Sequence, residues 1–124
     1  MSNRKNVVVI PGDDAAPEAM HPTIELLQAL EIEINFEFPP YGDDAVSSHG
    51  TGFPDVTRAA IDIADATLFG AGSKNSTEIV RYLRWGKGTF ANVRPARWVP
   101  GCNSPLINPT LLIYCRQVSH LFSS

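Results

Sequence analysis

Hydrophobic and polar positions in the first third of the chain predict a buried strand followed by an amphipathic helix. Asn6–Ile10 is a continuous run dominated by β-branched residues and closed by Pro-Gly, which is typical of a strand buried on both faces of a parallel sheet. Asp13 or Asp14 is expected to cap the helix that follows, with Pro17 and Glu18 in its first turn. The apolar stripe of this helix comprises Met20, Ile24, Leu27 and Leu30.

The middle of the chain continues this alternation. Residues 32–38 alternate apolar and polar side chains, which predicts a half-buried strand. Residues 41–53 are rich in glycine and serine and are expected to form a surface loop. A helix is predicted over 54–64, and the residues expected to face inward are Val56, Ala60, Ile61 and Ile63.

The third segment predicts one more strand and helix before an extended stretch. Residues 66–69 form the expected strand, 78–85 the helix and 89–99 the extended stretch, in which Pro95 interrupts the pattern. The resulting order of strands and helices indicates an α/β fold. We expect an open, mainly parallel sheet with right-handed crossovers and helices on both faces.

Composition narrows the classes of function. The chain has 124 residues and a net charge of −3, which argues against nucleic-acid and anionic-membrane partners. No apolar run reaches the roughly 18 residues of a membrane-spanning helix. Two cysteines form no disulfide framework and suggest a reducing, cytoplasmic location. Charged residues make up 19%, below the usual quarter, which fits a chain that buries surface against more protein.

Two kinds of residue cluster could carry chemistry. Arg84, Arg94 and Arg97 lie among glycines, prolines and aromatic residues, and their planar guanidinium groups suit the carboxylates of a small polycarboxylate. Spacing alone is equally compatible with solvated surface arginines. The pairs Asp13-Asp14 and Asp43-Asp44 supply no third metal ligand, so we expect capping and turn roles for them.

A loop that is expected beyond the carboxyl end of a strand gives a third candidate. Residues 70–77 are small and polar, and they join a predicted strand to a predicted helix, where ligands of open α/β sheets bind. Free main-chain amides at such a helix start favour an anion. An ordinary turn with a helix cap is the commoner explanation of such a loop. Its two glycines, Gly70 and Gly72, are not a dinucleotide fingerprint because a third glycine is missing.

Two groups of motifs follow one another along the chain. The first comprises Val7–Asp13 and Pro17-Glu18. The second comprises Leu83-Arg84, Asn92-Val93-Arg94-Pro95, Pro100-Gly101 and Ser104-Pro105-Leu106. The two groups resemble segments of the isocitrate/isopropylmalate dehydrogenase family of metal-dependent β-decarboxylating dehydrogenases. The first resembles the opening strand, glycine turn and helix start of that family, and the second resembles its substrate-arginine segment.

The resemblance implies an isopropylmalate-dehydrogenase-like fold, present in part, and a set of site residues. Arg84 and Arg94 match two substrate-carboxylate arginines of the family, so the implied ligand is a 2-hydroxy di- or tricarboxylate. NAD and Mg²⁺ or Mn²⁺ are the implied cofactors. The implied contact surface for the nicotinamide cofactor comprises Gly70, Ala71, Gly72, Ser73, Ser76 and Thr77.

The chain departs from the family pattern at both ends. Asp14 and Ala16 replace two glycines of the opening turn, with strain expected if either needs a positive φ. Near the other end, Cys115 stands in the place of a third arginine unless Arg116 substitutes for it, and Phe122 stands in the place of a catalytic tyrosine. Residues 1–106 therefore form the expected family-like domain, and 107–124 a divergent tail.

These departures decide the expected function. The metal aspartates, general-base lysine and dimer interface of the family would lie beyond the last residue of this chain, so we assign it no catalytic or metal residue. We expect a truncated NAD-dependent 2-hydroxy-acid oxidative decarboxylase of the isocitrate, isopropylmalate or tartrate type, inactive alone. The alternative is a non-catalytic binding or interaction protein that keeps the fold.

Overall fold

The structure is a computed structural model that describes residues 4–89, 91–96, 101 and 112–117. The chain divides into two compact units, Met1–Val80 and Arg81–Ser124. The helices and strands are β1 Lys5–Gly12, α1 Ala16–Ala29, β2 Ile34–Glu37, α2 Gly42–His49, α3 Asp55–Ile63, β3 Ala66–Ala71, α4 Thr77–Arg81, β4 Ala91–Ala96 and β5 Leu112–Gln117. A 3₁₀ turn, Lys74–Ser76, precedes α4, and a π-helical turn, Tyr82–Gly86, follows it.

The first unit is built on a parallel sheet with strand order β2-β1-β3. Val7 pairs with Phe36 of β2 on one side and with Ala66 of β3 on the other. Each crossover contains a helix, as parallel neighbours require. The predicted parallel α/β arrangement is therefore confirmed for this unit.

Both faces of the central strand are covered. Val8, Val9 and Ile10 are fully buried although successive side chains of a strand point to opposite faces. On one face, Val9 joins the core formed with Met20 and Ile24 of α1. This agrees with the prediction made from the uninterrupted apolar run, because a strand covered on one side only would alternate.

The start and end of α1 differ from prediction. Its N-cap is Ala15, without a side-chain cap, so neither Asp13 nor Asp14 caps the helix. Pro17 occupies the first turn as expected. The predicted stripe does not reach the helix end, since Leu30 is 59% exposed and lies just beyond the last helical residue.

The predicted loop at 41–53 is wrong, because α2 occupies most of it. Asp43 and Asp44 lie in the first turn of α2, where the helix dipole favours negative charge. Gly50 ends the helix in the left-handed conformation with its N–H donating to Val46 O at 2.9 Å. Ala45 is fully buried, so tertiary packing stabilises this helix. The serine-rich sequence of the segment does not by itself indicate a helix.

The face that α3 buries is rotated relative to prediction. Ala60 and Ile61 are buried as expected, but Val56 and Ile63 are exposed. Thr57 is fully buried instead, because its hydroxyl donates to the carbonyl oxygen of Pro40. A polar side chain can occupy such an inward position only when it finds a hydrogen-bond partner there.

Two predicted elements are shorter than expected. Of the strand predicted over 32–38, only Ile34–Glu37 is β-structure, and Ile32 and Phe38 are exposed. The helix predicted over 78–85 is α-helical only for Thr77–Arg81 and widens into the π-helical turn after that.

The second unit contains an antiparallel pair, β4 with β5. Extended structure was predicted for 89–99, and β4 confirms it for 91–96. Among the described residues, β4 pairs with β5 alone, which adds an antiparallel pair to the mainly parallel arrangement that was predicted. Arg97 and Phe122 lie outside the described residues, as do 107–111 and 118–124 of the expected tail.

Candidate functional site

The carboxyl ends of β1 and β3 lie very close together. Gly12 pairs with Ala71 and has a φ of +96°, and a Cβ on it would lie 2.4 Å from Ala71 O. At Gly70, a Cβ would lie 2.0 Å from Pro11 O. Both glycines are therefore required by the approach of the two main chains. This approach brings the two loops that follow the strands together at one edge of the sheet.

Asp13 connects these two loops. Its main-chain N–H donates to Ala71 O at 2.8 Å, which continues the pairing of the strands. Its Oδ2 accepts a hydrogen bond from the N–H of Ser73 at 2.8 Å and another from the hydroxyl of Ser76. The side chain of Asp13 is half-buried and that of Ser76 fully buried, so the contact lies within the protein rather than on its surface.

Two further aspartates contact the same loop. Asp14 Oδ2 accepts from the Ser73 hydroxyl at 2.8 Å, and Asp43 Oδ1 accepts from Asn75 Nδ2 at 2.7 Å. Asp14 has a φ of +55°, so the strain expected from its replacement of glycine is present. Asp13, Asp14 and Asp43 therefore hold the loop, a role that goes beyond the expected turns and caps.

A cleft of about 180 Å³ opens beside the loop. It is lined by Gly12, Asp13, Asp14, Tyr41, Asp43, Asp44 and Ser73. The phenol of Tyr41 donates to Gly12 O at 2.9 Å. Burial, followed by the negative charge of Asp13, raises the pKa of Tyr41. The four carboxylates make the cleft unfavourable for a phosphate.

The predicted cofactor residues lie together in this loop, but they differ in what they offer to a ligand. Ser73 and Ser76 direct their polar groups to Asp13 and Asp14, so the expected free amide of Ser73 is already engaged by a carboxylate of the protein. Gly72 is exposed, but a larger residue does not fit there, because a Cβ would lie 2.8 Å from Val80 Cγ2. Ala71 is exposed and Thr77 is half-buried. Asn75, which is not one of the predicted cofactor residues, is also exposed, and its amide donates to Asp43.

Arg84 lies in the π-helical turn Tyr82–Gly86 and is exposed. The turn is closed by Lys87 N–H, which donates to Tyr82 O at 2.9 Å, and by the Thr89 hydroxyl, which donates to Arg84 O at 2.8 Å. A π-helical turn is rare and occurs often at functional sites. None of the ion pairs among the described residues involves Arg84.

The second predicted substrate arginine, Arg94, lies in β4 opposite Tyr114 of β5. The register places Cys115 opposite Val93 and Arg116 opposite Asn92.

The described residues contain no group of three or more His, Cys, Asp or Glu side chains that could hold a metal ion. They also contain no helix with the length and apolar character needed to span a bilayer.

Comparison with known proteins identifies the family. The family model described as isocitrate/isopropylmalate dehydrogenase matches residues 6–116, nearly the whole chain. The chain belongs to this family. The match extends beyond residue 106 and includes both arginines.

Relatives with 30% identity or more carry consistent names. The 3-isopropylmalate dehydrogenase of Archaeoglobus fulgidus is 38% identical over 97 residues, which cover 78% of this chain and 30% of that protein. That of Methanothermobacter thermautotrophicus is 34% identical, covering 85% and 31% respectively. The 3-isopropylmalate/3-methylmalate dehydrogenase of Methanocaldococcus jannaschii is 32% identical, covering 77% and 28%. The chain thus spans about a third of the length of these family members.

Solved structures agree on the fold. A β-decarboxylating dehydrogenase from Thermococcus kodakarensis superposes with a TM-score of 0.69 at 24% identity, covering 94% of this chain and 34% of that one. A protein from Thermus thermophilus gives a TM-score of 0.66 at 29% identity, covering 92% and 24%. Both support the family's α/β fold for this chain.

Sequence reasoning missed the role of Asp13 in holding the loop. The signal was available in part, because parallel strands bring their carboxyl ends to one edge. Residues just beyond Gly12 and Ala71 would then be expected to meet once β1 and β3 were recognised as neighbours.

Proposed function

We propose that the chain is a ligand-binding portion of an NAD-dependent, β-decarboxylating 2-hydroxy-acid dehydrogenase and that it is cytoplasmic. In this proposal Arg84 and Arg94 bind carboxylates of a 2-hydroxy di- or tricarboxylate. The 70–77 loop contacts the nicotinamide cofactor. The isolated chain is proposed to bind ligands without turnover.

The observation that carries the proposal is the placement of Arg84. It is exposed on a π-helical turn that hydrogen bonds close, and no ion pair among the described residues uses its guanidinium. When the main chain of an arginine is held in place and its guanidinium is not used in an ion pair, that guanidinium can donate hydrogen bonds to a carboxylate of a ligand. Family membership adds Arg94, in β4, as the second arginine.

The 70–77 loop suits the nicotinamide ring and its ribose better than the pyrophosphate of the cofactor. Its exposed residues Ala71, Gly72 and Asn75 are small or neutral, which suits contact with a planar ring or a sugar. The carboxylates of Asp13, Asp14 and Asp43 behind it would repel a pyrophosphate. When bound, the cofactor would supply a hydride acceptor. This chain would position the nicotinamide and its ribose, and its carboxylates would repel the pyrophosphate.

The described residues do not fit the divalent metal of the family. They offer no set of three ligands, and we therefore assign no step through a metal to this chain. In this proposal the chain contributes binding, through its arginines and its loop, and is expected to give no turnover by itself.

Titration of the folded chain with hydroxy acids tests the proposal. The ligands are 3-isopropylmalate, isocitrate, malate and tartrate, and binding is measured by calorimetry at low ionic strength. Replacing either arginine, in Arg84→Ala or Arg94→Ala, is expected to weaken binding about tenfold or more, as is usual for hydrogen bonds between charged groups. Arg4→Ala is the matched control, because it removes the same charge from an exposed position in the other unit.

Two results would contradict the proposal. Equal weakening in Arg4→Ala would reduce the effect to net charge, and unchanged binding in both arginine variants would remove the carboxylate site. Turnover is followed separately by nicotinamide absorbance with Mg²⁺ or Mn²⁺. Turnover that disappears in Arg94→Ala would show that the chain is an enzyme by itself, contrary to our expectation.

A further inference from the structure

Asp13 uses its main chain and its side chain to join two loops. Its N–H donates to Ala71 O at 2.8 Å, and its carbonyl oxygen accepts from Ala16 N–H at 3.1 Å. Its carboxylate accepts from Ser73 N–H, at 2.8 Å, and from the Ser76 hydroxyl. The turn from β1 to α1 and the loop from β3 to α4 are therefore connected through one residue.

The carboxylate satisfies groups that have little alternative. Ser76 is fully buried, and among the described residues its hydroxyl has one other contact, to Ser73 O at 3.3 Å. Without the carboxylate of Asp13, the N–H of Ser73 and the hydroxyl of Ser76 lose a charged acceptor. A buried donor that loses its acceptor pays its full desolvation cost, so the loop would rearrange to find new partners.

The other aspartates at the cleft hold the loop less firmly. Asp14 and Asp43 each make one exposed side-chain contact with it, whereas the contacts of Asp13 are part-buried. Asp44 lines the same cleft but makes no hydrogen bond to the loop within the described part of the chain. Asp13 and Asp44 therefore share charge and location but differ in their connection to the loop.

We propose that Asp13 is a positioning residue, whose carboxylate fixes the 70–77 loop in the conformation that presents Ala71 and Asn75 to the nicotinamide cofactor. The reference to the cofactor rests on the proposed function. The effect on the loop does not depend on it. Asp13 acts through Ser73 and Ser76, since its own carboxylate is engaged inside the protein.

Hydrogen exchange of the Ser73 amide tests the effect on the loop. It is measured by NMR on the full, ¹⁵N-labelled chain for Asp13→Ala, Asp13→Asn and Asp44→Ala. In Asp13→Ala we expect exchange on the order of tenfold or more faster than in Asp44→Ala, from the loss of a hydrogen bond to a charged group. Asp13→Asn should fall between them, because its side-chain oxygen still accepts but carries no charge.

Equal Ser73 exchange in Asp13→Ala and Asp44→Ala would overturn the proposal. If Asp13→Ala does not fold, the comparison of Asp13→Asn with Asp44→Asn decides the question, since both variants preserve side-chain volume. A matching change in the chemical shift of the Ser73 amide would identify the lost carboxylate contact directly, and a uniform loss of stability would not produce it.

Binding of NADH, followed by its fluorescence, tests the link to the cofactor. Affinity is expected to fall on the order of tenfold in Asp13→Ala and less in Asp13→Asn, because a loosened loop must be ordered on binding. Unchanged NADH affinity in Asp13→Ala, with faster Ser73 exchange, would overturn the cofactor part of this inference. A wild-type chain that does not bind NADH would instead contradict the proposed function, while Ser73 exchange would still decide the role of Asp13.

Discussion

The two ends of the parallel sheet are closed by the same kind of contact in different surroundings. At the carboxyl end, the carboxylate of Asp13 in the β1 loop accepts from the main-chain N–H of Ser73 in the β3 loop. At the amino end, the carboxylate of Asp65, just before β3, accepts from the main-chain N–H of Asn6 in β1 at 2.9 Å. Lys5 Nζ donates to the same Asp65 carboxylate, also at 2.9 Å.

The contacts at the two ends of the sheet differ in how far they are buried. The Asp13 contact is part-buried and includes the fully buried hydroxyl of Ser76, whereas Asp65 and Lys5 are exposed. Exposed ion pairs contribute little to stability, and water replaces them readily. The contact at the carboxyl end is therefore expected to be the stronger of the two, because the surrounding protein excludes more water from it.

The largest expected effect comes from separating the strands at the carboxyl end. Gly70→Ala places a Cβ at 2.0 Å from Pro11 O, which the main chain can relieve only by moving β3 away from β1. We expect a loss of about 3 kcal/mol in the free energy of unfolding, at the upper end for overpacking. Chemical denaturation followed by circular dichroism measures it.

Gly50→Ala is the control for this substitution. Gly50 has a φ of +75°, but among the described residues no atom beyond its own chain neighbours lies within 4 Å of the place that a Cβ would occupy. Only backbone strain of about 1–2 kcal/mol is therefore expected. Equal losses in the two variants would mean that the close approach of β1 and β3 is not what constrains residue 70.

A smaller effect concerns the strained residue beside Asp13. Asp14 has a φ of +55°, so Asp14→Gly should be more stable than Asp14→Ala by about 1–2 kcal/mol. At Asp44, in the first turn of α2, the order should reverse, with glycine less stable than alanine by about 0.5–1 kcal/mol. Thermal or chemical denaturation of the four variants checks both orders. The same order at both positions would refute the positive φ of Asp14.

The smallest effect belongs to the amino end and depends on pH. Hydrogen bonds from Lys5 and from the N–H of Asn6 lower the pKa of Asp65. A carboxyl group with a lowered folded-state pKa stabilises the protein above its unfolded pKa of about 3.9 and loses this contribution as the pH falls through the folded value. Asp65→Asn should therefore be slightly less stable than wild type at pH about 7, and this difference should close in acid below pH about 3.9.

Urea midpoints at neutral and acidic pH measure this difference. Lys5→Gln should show part of the effect, because it retains the hydrogen bond from Asn6. A difference between Asp65→Asn and wild type that persists undiminished in acid would show that the charge of Asp65 is not the cause.

Local pattern predicted the elements that bury a continuous apolar face. The run from Val7 to Ile10 and the spacing of Met20 and Ile24 specified β1 and α1, because a wrong period would expose several of these side chains at once. The helix α2 was missed because it is short and its stability depends on the burial of Ala45, which no local pattern reveals. The burial of Thr57 was missed for a similar reason, because its hydroxyl donates to the carbonyl oxygen of a residue that lies 17 positions away.

The candidate site was predictable in its residues but not in its contacts. Arg84 and the 70–77 loop could be selected from residue type and family resemblance. The contact of Asp13 with Ser73 and Ser76 could not, because about 60 residues separate the partners and only the pairing of β1 with β3 brings them together.

The position of β1 at the centre of its sheet has a consequence for synthesis of the protein. β1 is made first, but its partners β2 and β3 follow it, and β3 ends about 60 residues after β1. At roughly 5–20 residues per second, its apolar run waits roughly 3–12 s for the second partner. A nascent chain that pauses within α3 therefore exposes an apolar strand with one unpaired edge. During this interval the strand is most prone to aggregation, and binding by a chaperone would have its largest effect.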